Sequence, residues 1–241
     1  MGLPTIAVPQ YTLQLPSSGK EIKYRPFLVK EEKILLLAME SEDKDQILNA
    51  TKQIITNCVF GDIDADDLPT FDMEYIFLQL RSRAKGEIIE LTYKCPKCKG
   101  EIPVNINIDD IKVVKQEKHT DNIKLTEDLG VMMKYPNMSL QMEIANSKGK
   151  EVDNLFTTII SCIDCIYDKE NTYPSKDHTQ KELLEFIESL TDPQFQQLAD
   201  FFATAPALKH NLELNCKNKD GKKTCTYKES KVLEGLNSFF T

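Results

Sequence analysis

The chain has 241 residues with 41% hydrophobic and 28% charged side chains, which is ordinary for a folded globular protein and excludes a disordered or fibrous one. No apolar stretch approaches the roughly 20 residues of a membrane span, and residues 1–10 lack the basic start and long apolar run of a signal peptide, so we expect no membrane span and assembly in a cytoplasm. The formal net charge of -8 repels phosphate, so we expect no nucleic-acid partner.

The first 86 residues predict a β-hairpin followed by helices. Residues 11–15 and 21–25 alternate between apolar and polar on either side of a Pro-Ser-Ser-Gly turn. Helical periodicity follows over residues 29–41 and 47–58. A third helix spans residues 70–85 and is apolar on several sides, which is typical of a buried helix.

The middle of the chain switches to the two-residue period of β-strands. Residues 87–93 and 102–108 predict two strands that flank a Cys-Pro-Lys-Cys-Lys-Gly turn, and residues 111–114 extend the second strand. We predict a further strand through Val131 and Met133. Residues 138–144 fit a strand and a helix equally well.

Helical patterns return before a final hairpin. Apolar residues from Val152 to Ile166 mark one helical face, and Thr179 with Glu182 forms a capping box before the next helix. Asp192 and Pro193 predict the cap and first turn of a third helix. Residues 208–214 and 225–228 then predict two strands around an Asn-Lys-Asp-Gly turn.

This order of elements predicts an α+β fold. We expect an N-terminal hairpin plus helical region in residues 1–86 and a mainly helical insert in residues 118–206. The central and C-terminal hairpins, residues 87–117 and 207–230, are expected to form one zinc-ribbon-like module on either side of that insert.

Four of the seven cysteines flank the two predicted hairpin turns of this module. Cys95 and Cys98 have the Cys-x-x-Cys spacing that lets two thiolates reach one metal ion, and Cys216 and Cys225 flank the second turn. Two hairpins that each supply two sulfurs predict a tetrahedral, structural zinc site. Eight residues separate the second pair, whereas a zinc knuckle normally has two between its cysteines.

Other interpretations of the same four residues stay open at this point. Cys95 and Cys98 fit unpaired surface thiols, and Cys216 and Cys225 fit ordinary packing or a disulfide, although a reducing compartment disfavours the disulfide. A redox Cys-x-x-Cys normally opens a helix after a strand, and here it joins two strands. The remaining cysteines lie in apolar helical patterns and are predicted to be core or near-core residues: Cys58, Cys162 and Cys165.

No catalytic motif is present in the sequence. It lacks a nucleophile elbow, a Walker loop, a dinucleotide-binding glycine pattern and a zinc-protease motif. His119 and His178 lie in polar segments and are expected to be solvated, and His210 is a spare candidate ligand that more often would be a surface or core residue. The sequence therefore favours a protein that acts by binding rather than catalysis.

Several long segments of the chain have a familiar sequence: residues 13–20, 22–32, 71–81 and 131–136, and the stretch from Phe201 through Pro206 to Cys216. Together these segments resemble a known family, the baseplate hub proteins of T4-like phages. The resemblance covers nearly the whole chain and carries over no catalytic residues. It implies a structural component of the central hub of a contractile tail baseplate, located in the virion and assembled in the host cytoplasm.

The resemblance also implies kinship with tail assembly chaperones, which gives a second hypothesis. In that alternative the chain binds the tape-measure protein and is absent from the mature virion. The implied partners are accordingly other hub proteins, the tape-measure protein, or both.

Overall fold

The computed structural model describes residues 6–41, 43–61, 63–147, 149–220 and 223–239. In the first half of the chain the elements are β1 (Tyr11–Gln14), β2 (Glu21–Tyr24), α1 (Val29–Glu40), α2 (Lys44–Cys58), β3 (Val59–Phe60), α3 (Thr70–Lys85), β4 (Ile88–Lys94), β5 (Glu101–Asn107) and β6 (Lys112–Val114). These elements confirm the predicted hairpin and the three predicted helices.

The second half begins with two short strands, and strands and helices alternate in it more than the sequence pattern suggests. Its elements are β7 (Asn122–Lys124), β8 (Gly130–Met133), α4 (Met138–Asn146), α5 (Glu151–Ser161), β9 (Ile163–Tyr167), β10 (Thr172–Pro174), α6 (Gln180–Glu188), α7 (Asp192–Thr204), β11 (Ala207–Asn215), β12 (Lys219–Asp220), β13 (Lys223–Thr224) and β14 (Lys228–Glu234). The chain is thus a mixed α+β protein. Across the described ranges, no helix has both the length and the hydropathy that crossing a bilayer requires.

The chain divides into two compact units. Unit 1 comprises residues 1–65, 71–114 and 207–241, and unit 2 comprises residues 66–70 and 115–206. The expected division into residues 1–86, the two hairpins and the insert stays a prediction.

Unit 1 contains small antiparallel sheets and three helices. One sheet has the order β1-β2-β3, a second has the order β14-β11-β6, and β4 pairs with β5 and β12 with β13 as separate ribbons. Strand β6 therefore does not extend β5, as the sequence suggested, but pairs with β11 through Leu208 opposite Val113. Long-range pairing of this kind leaves no local sequence signal.

Helix α3 lies in the core of unit 1, as its apolar pattern predicts. Met73, Ile76 and Leu80 are fully buried. Asp72 is buried as well, and its carboxylate accepts hydrogen bonds from the amide and hydroxyl of Ser17 in the turn between β1 and β2. A buried carboxylate with hydrogen-bond donors links the first hairpin to the start of α3.

Unit 2 packs its helices against an antiparallel sheet of order β10-β9-β8-β7. Its core consists of apolar side chains from strands β7 to β9 and helices α5 to α7, among them Val131, Ile159, Leu198 and Phe201. The predicted strand through Val131 and Met133 is confirmed as β8. Residues 118–206 thus hold a four-stranded sheet as well as helices.

The structure corrects two local predictions in unit 2 and decides a third that the sequence left open. Helix α5 ends at Ser161 and the apolar run continues as strand β9, because Ile163 and Ile166 are buried in the sheet that β9 forms with β8. The ambiguous residues 138–144 are helical, and the side chain of Asn137 caps that helix by accepting from the amide of Leu140 at 2.8 Å. The cap of α7 is Thr191 and not Asp192.

His119 is buried rather than solvated. Its ring lies within 2.9 Å of both the Thr204 hydroxyl, at Nδ1, and the Tyr135 hydroxyl, at Nε2, and it packs on Phe201 with ring centroids 5.1 Å apart. Burial lowers the pKa of His119, and the charge of Lys115 acts in the same direction. This neutral, doubly hydrogen-bonded imidazole is a structural part of the core.

Candidate metal centre

The structure brings together all four cysteines that the sequence analysis singled out. Cys95, Cys98, Cys216 and Cys225 lie in unit 1, and their sulfur atoms are all within 4.8 Å of one another. The Cys98 and Cys216 sulfurs are 3.5 Å apart, and the Cys95 and Cys225 sulfurs are 3.8 Å apart. These distances are far beyond the roughly 2.0 Å of a disulfide, so the four are free thiols.

The first pair is held by the tight turn between β4 and β5. The amide of Cys95 donates to the carbonyl of Gly100, and the amide of Lys99 donates to the carbonyl of Cys95, both at 2.9 Å. Lys99 has a φ of 60°, which lies in the left-handed region and turns the chain sharply after Cys98. The turn therefore points both sulfurs to the same side.

The second pair is brought together despite the eight residues between its cysteines. Strand β11 ends one residue before Cys216, and the ribbon of β12 and β13 then leads the chain out and back. The amide of Cys225 donates to the carbonyl of Asn218 at 2.8 Å and so joins the two ends of the segment that contains this ribbon. In space, Cys225 therefore follows Asn218 directly. This is where the second cysteine would lie in a zinc knuckle that begins at Cys216 and has two residues between its cysteines.

This arrangement corrects the predicted C-terminal hairpin. Strand β14 spans Lys228–Glu234 and pairs with β11 along its whole length, so the returning strand begins after Cys225 instead of containing it. Cys216 and Cys225 lie at the end of the β11–β14 ribbon, where its strands give way to the short β12–β13 ribbon.

Asn218 links the two cysteine turns, and the sequence analysis missed it. Its side-chain amide donates to the carbonyl of Glu101 at 2.9 Å and lies 3.8 Å from the Cys98 sulfur. A Cβ atom on Gly100 would lie 2.5 Å from the same amide nitrogen, so only glycine permits this approach. An asparagine two residues after a candidate ligand was the available sequence signal, but turn asparagines are too common for it to be decisive.

The sulfurs differ in their readiness to ionise. Burial by itself raises the pKa of the Cys95 thiol, but hydrogen bonds from the amides of Cys98 and Lys97 outweigh it and lower the pKa to about 7. Burial raises the pKa of Cys216 to about 12, and the neighbouring sulfurs of Cys98 and Cys225 add to this effect. The surroundings thus favour the thiolate form at Cys95 and the thiol form at Cys216.

The chemistry of the donors restricts which ion this cluster could hold. Four sulfurs around a zinc ion at about 2.3 Å would be separated from each other by about 3.8 Å, the edge of the tetrahedron. The two measured sulfur pairs agree with that separation. Four thiolates in tetrahedral geometry suit zinc or iron and not magnesium or calcium, which prefer oxygen ligands.

The other candidate residues lie away from this cluster. Cys58 and Cys162 are buried, and burial raises their pKa to about 11 and about 12, so both are inert core thiols. Cys165 is half-buried on β9, and His210 lies on β11 outside the sulfur cluster. Within the part of the chain that the structure describes, the four cysteines form the one group of three or more potential ligands close enough to share an ion.

Comparisons with known proteins agree with one another. A family model described as T4 bacteriophage base plate protein matches residues 8–241. The chain is similar to the baseplate hub assembly protein gp26 of Enterobacteria phage T4, with 24% identity over 232 residues that cover 96% of this chain and 98% of that protein. No solved structure matches the chain.

Proposed function

Because the chain belongs to the family of T4 bacteriophage base plate proteins, we propose that it is a structural component of the central hub of a contractile phage tail baseplate. Its proposed mode of action is protein–protein binding without catalysis. The proposed partners are other hub proteins, in a particle that is assembled in the host cytoplasm and carries the chain in its baseplate.

The end-to-end match to the phage T4 hub assembly protein carries this proposal. The match covers 98% of that protein, so no separate domain accounts for the similarity. Net charge -8 also argues against a role on the phage genome, because polyphosphate would be repelled.

The retention of the chain in mature particles is the test of this proposal. Mass spectrometry of purified, intact tails should find the chain at a fixed stoichiometry to other baseplate proteins. Its absence from tails that are otherwise complete would contradict the structural role.

The name of the phage T4 relative, an assembly protein, favours one alternative. In that alternative the chain is a tail assembly chaperone that binds the tape-measure protein and leaves before the tail is complete. Co-purification with the tape-measure protein from cells arrested before tail completion, together with absence from mature tails, would establish it.

We also propose that Cys95, Cys98, Cys216 and Cys225 bind one structural zinc ion. Four protein ligands would fill the tetrahedron and leave no position for water, so the metal would stabilise the turns and not catalyse a reaction. In this proposal the two hairpins and the metal form the zinc-ribbon-like module of unit 1.

Metal analysis of protein purified under reducing conditions should find one zinc per chain. Cys95→Ser should lower the melting temperature and release the metal. The matched change Cys162→Ser, at a cysteine outside the cluster, should reduce stability through packing alone and leave the metal content unchanged. Iron with visible absorbance would identify a different metal, and folded, reduced protein without metal would refute the assignment.

A further inference from the structure

An open apolar trough runs along the surface of unit 2 between α5 and α6. It encloses about 570 Å³. Val152, Phe156 and Ile160 of α5 recur at every fourth residue and form one wall, and Leu184 of α6 lies in the other. The trough is thus lined by two helical stripes, and the cysteine cluster of unit 1 has no residue in it.

The apolar wall is exposed, although the helices that carry it are packed against the core of unit 2. Val152 is 62% exposed and the neighbouring Leu155 is 37% exposed. Beneath them Ile159, Leu183 and Ile187 are buried in the core of unit 2, and α5 thus presents apolar residues on two sides. One side is buried in the core; on the other, Phe156 and Ile160 are only partly covered, with Phe156 stacked on Phe195, and Val152 stays exposed.

The unit that carries the trough is acidic. Unit 2 has nine lysines and no arginine against eighteen Asp and Glu residues, although the rest of the chain is nearly neutral. Asp153 and Glu188 line the trough itself. Among the described residues that line it, the lysine is Lys181, which lies 3.6 Å from Glu185, so its charge is partly neutralised. The potential over the trough therefore favours a cationic partner.

We propose that this trough is a docking site for a basic amphipathic α-helix of another protein. Two helices side by side offer ridges and grooves into which a third helix packs, whereas they offer no backbone partners for an extended strand. Helix α5 has 11 residues, so the trough would accommodate about three turns of the partner helix. The partner's apolar stripe would cover Val152 and Phe156, and its lysines or arginines would face the acidic rim.

This inference rests on the protein–protein binding proposed above and specifies the chemistry of one partner. The probe for its test is a synthetic, dye-labelled leucine–lysine peptide of about four helical turns, with a leucine–glutamate peptide of equal length for comparison. Fluorescence anisotropy with the full chain should show binding of the lysine peptide and none of the glutamate peptide. Amide NMR shifts should change within residues 152–161 and 180–188.

Val152→Asp should weaken binding of the lysine peptide by at least about tenfold, because burying a carboxylate under the peptide's leucine stripe costs more than its attraction to the lysines contributes. The side chain is exposed, so the variant should keep its melting temperature. Val232→Asp is the matched control, since Val232 is 56% exposed on β14 and lies outside the trough. This change should leave the affinity unaltered.

Three outcomes would overturn the docking site. They are equal binding of both peptides, NMR shifts confined to other surfaces, and unaltered affinity of the Val152→Asp variant. A chain dimer in sedimentation that the same variant abolishes would assign the trough to a second copy and also refute the proposal. If the chain is absent from mature tails but the peptide still binds in the trough, the proposed role as a hub component is refuted and the docking site is not.

Discussion

Lys99 combines a side chain with a backbone conformation that suits glycine. Its φ of 60° is the sole positive value at a residue other than glycine within the described part of the chain. The left-handed conformation costs a residue with a Cβ atom about 1 kcal/mol. The turn between Cys95 and Gly100 holds this strain because its backbone hydrogen bonds fix the chain on both sides.

Replacing Lys99 with glycine should therefore stabilise unit 1. We expect a gain of about 0.5–1 kcal/mol in the free energy of unfolding, because relief of the strain exceeds the entropy that glycine adds to the unfolded chain. Thermal and urea unfolding measure the change. Lys97→Gly, two residues earlier at an exposed position without positive φ, should give no gain in the free energy of unfolding. A loss of stability in the Lys99→Gly variant would contradict the argument that Lys99 is strained.

Glu31 is a second residue whose role follows from burial. It is fully buried and forms an ion pair with Arg25 at 2.9 Å, while its other oxygen accepts from the amide of Leu28 at 2.8 Å. Burial by itself raises the pKa of Glu31, but the hydrogen bonds from Arg25 and Leu28 outweigh it, and the net effect is a lowered pKa. The charged form is therefore favoured in the folded state.

The stabilisation by Glu31 should depend on pH. A lowered carboxylate pKa stabilises the fold above the unfolded value of about 4.3, and this contribution disappears as the pH falls through the folded value. Glu31→Gln should cost about 3 kcal/mol near neutral pH, since it leaves Arg25 without its charged partner, and much less once the pH has fallen below the folded pKa of Glu31. Urea unfolding at both pH values measures the difference.

A matched control lies on the same helix. Glu40→Gln, at an exposed position of α1, should change the free energy of unfolding by no more than about 0.5 kcal/mol at either pH. A cost at Glu31→Gln that stays the same across this pH range would show that the charge of Glu31 is not the source of its effect.

At the scale of elements, strands β8 and β9 show how one close contact fixes a pairing. Gly130 on β8 lies directly opposite Tyr167 on β9. A Cβ atom on Gly130 would lie 2.3 Å from the Tyr167 hydroxyl oxygen, and that hydroxyl donates to the side chain of Asn122 on β7. The tyrosine thus lies across the glycine and links three strands of the sheet.

Gly130→Ala should force the Tyr167 ring away and lose its hydrogen bond to Asn122. We expect a cost of about 1–2 kcal/mol in the free energy of unfolding. In a double-mutant cycle with Tyr167→Ala, the double variant should cost less than the sum of the single changes, because the clash needs both side chains. Additive costs would mean that the Tyr167 ring moves aside without a loss of stability.

At the scale of the whole molecule, the two units have separate cores and different means of stabilisation. The core of unit 2 is one apolar cluster from strands and helices. In unit 1 the four cysteines join the β4–β5 turn to the end of the β11–β14 ribbon, segments that are more than 100 residues apart in the chain. A metal there would act on unit 1 in the first instance.

Removal of the proposed zinc ion should accordingly loosen one part of the molecule. With a strong chelator, amide hydrogen exchange should accelerate in residues 94–101 and 215–228, while α5 to α7 keep their protection. Addition of excess zinc should restore the slow exchange. Equal acceleration throughout unit 2 would show instead that both units depend on the cysteine cluster.

The sequence by itself determined the features that arise from near neighbours in the chain. The first hairpin, helices α1 to α3 and the paired positions of the four cysteines follow from periodicity, turn residues and spacing, all of which act over a few residues. The resemblance of long segments identified the family, which the full-length match confirms. The Cys-x-x-Cys spacing and the positions of four cysteines beside two predicted hairpin turns were sufficient to pose the metal hypothesis.

Only the tertiary structure decided the features that depend on distant partners. The change from α5 to β9 could not be read from the chain, because a short apolar run fits a helix and a strand alike until the neighbouring strand β8 is known. The burial of Glu31 and Asp72 was hidden because charged residues are ordinarily exposed and only their partners permit burial. The approach of Cys225 to Cys216 depended on the β12–β13 ribbon and the bond to Asn218, since spacing along the chain limits distance in space but does not set it.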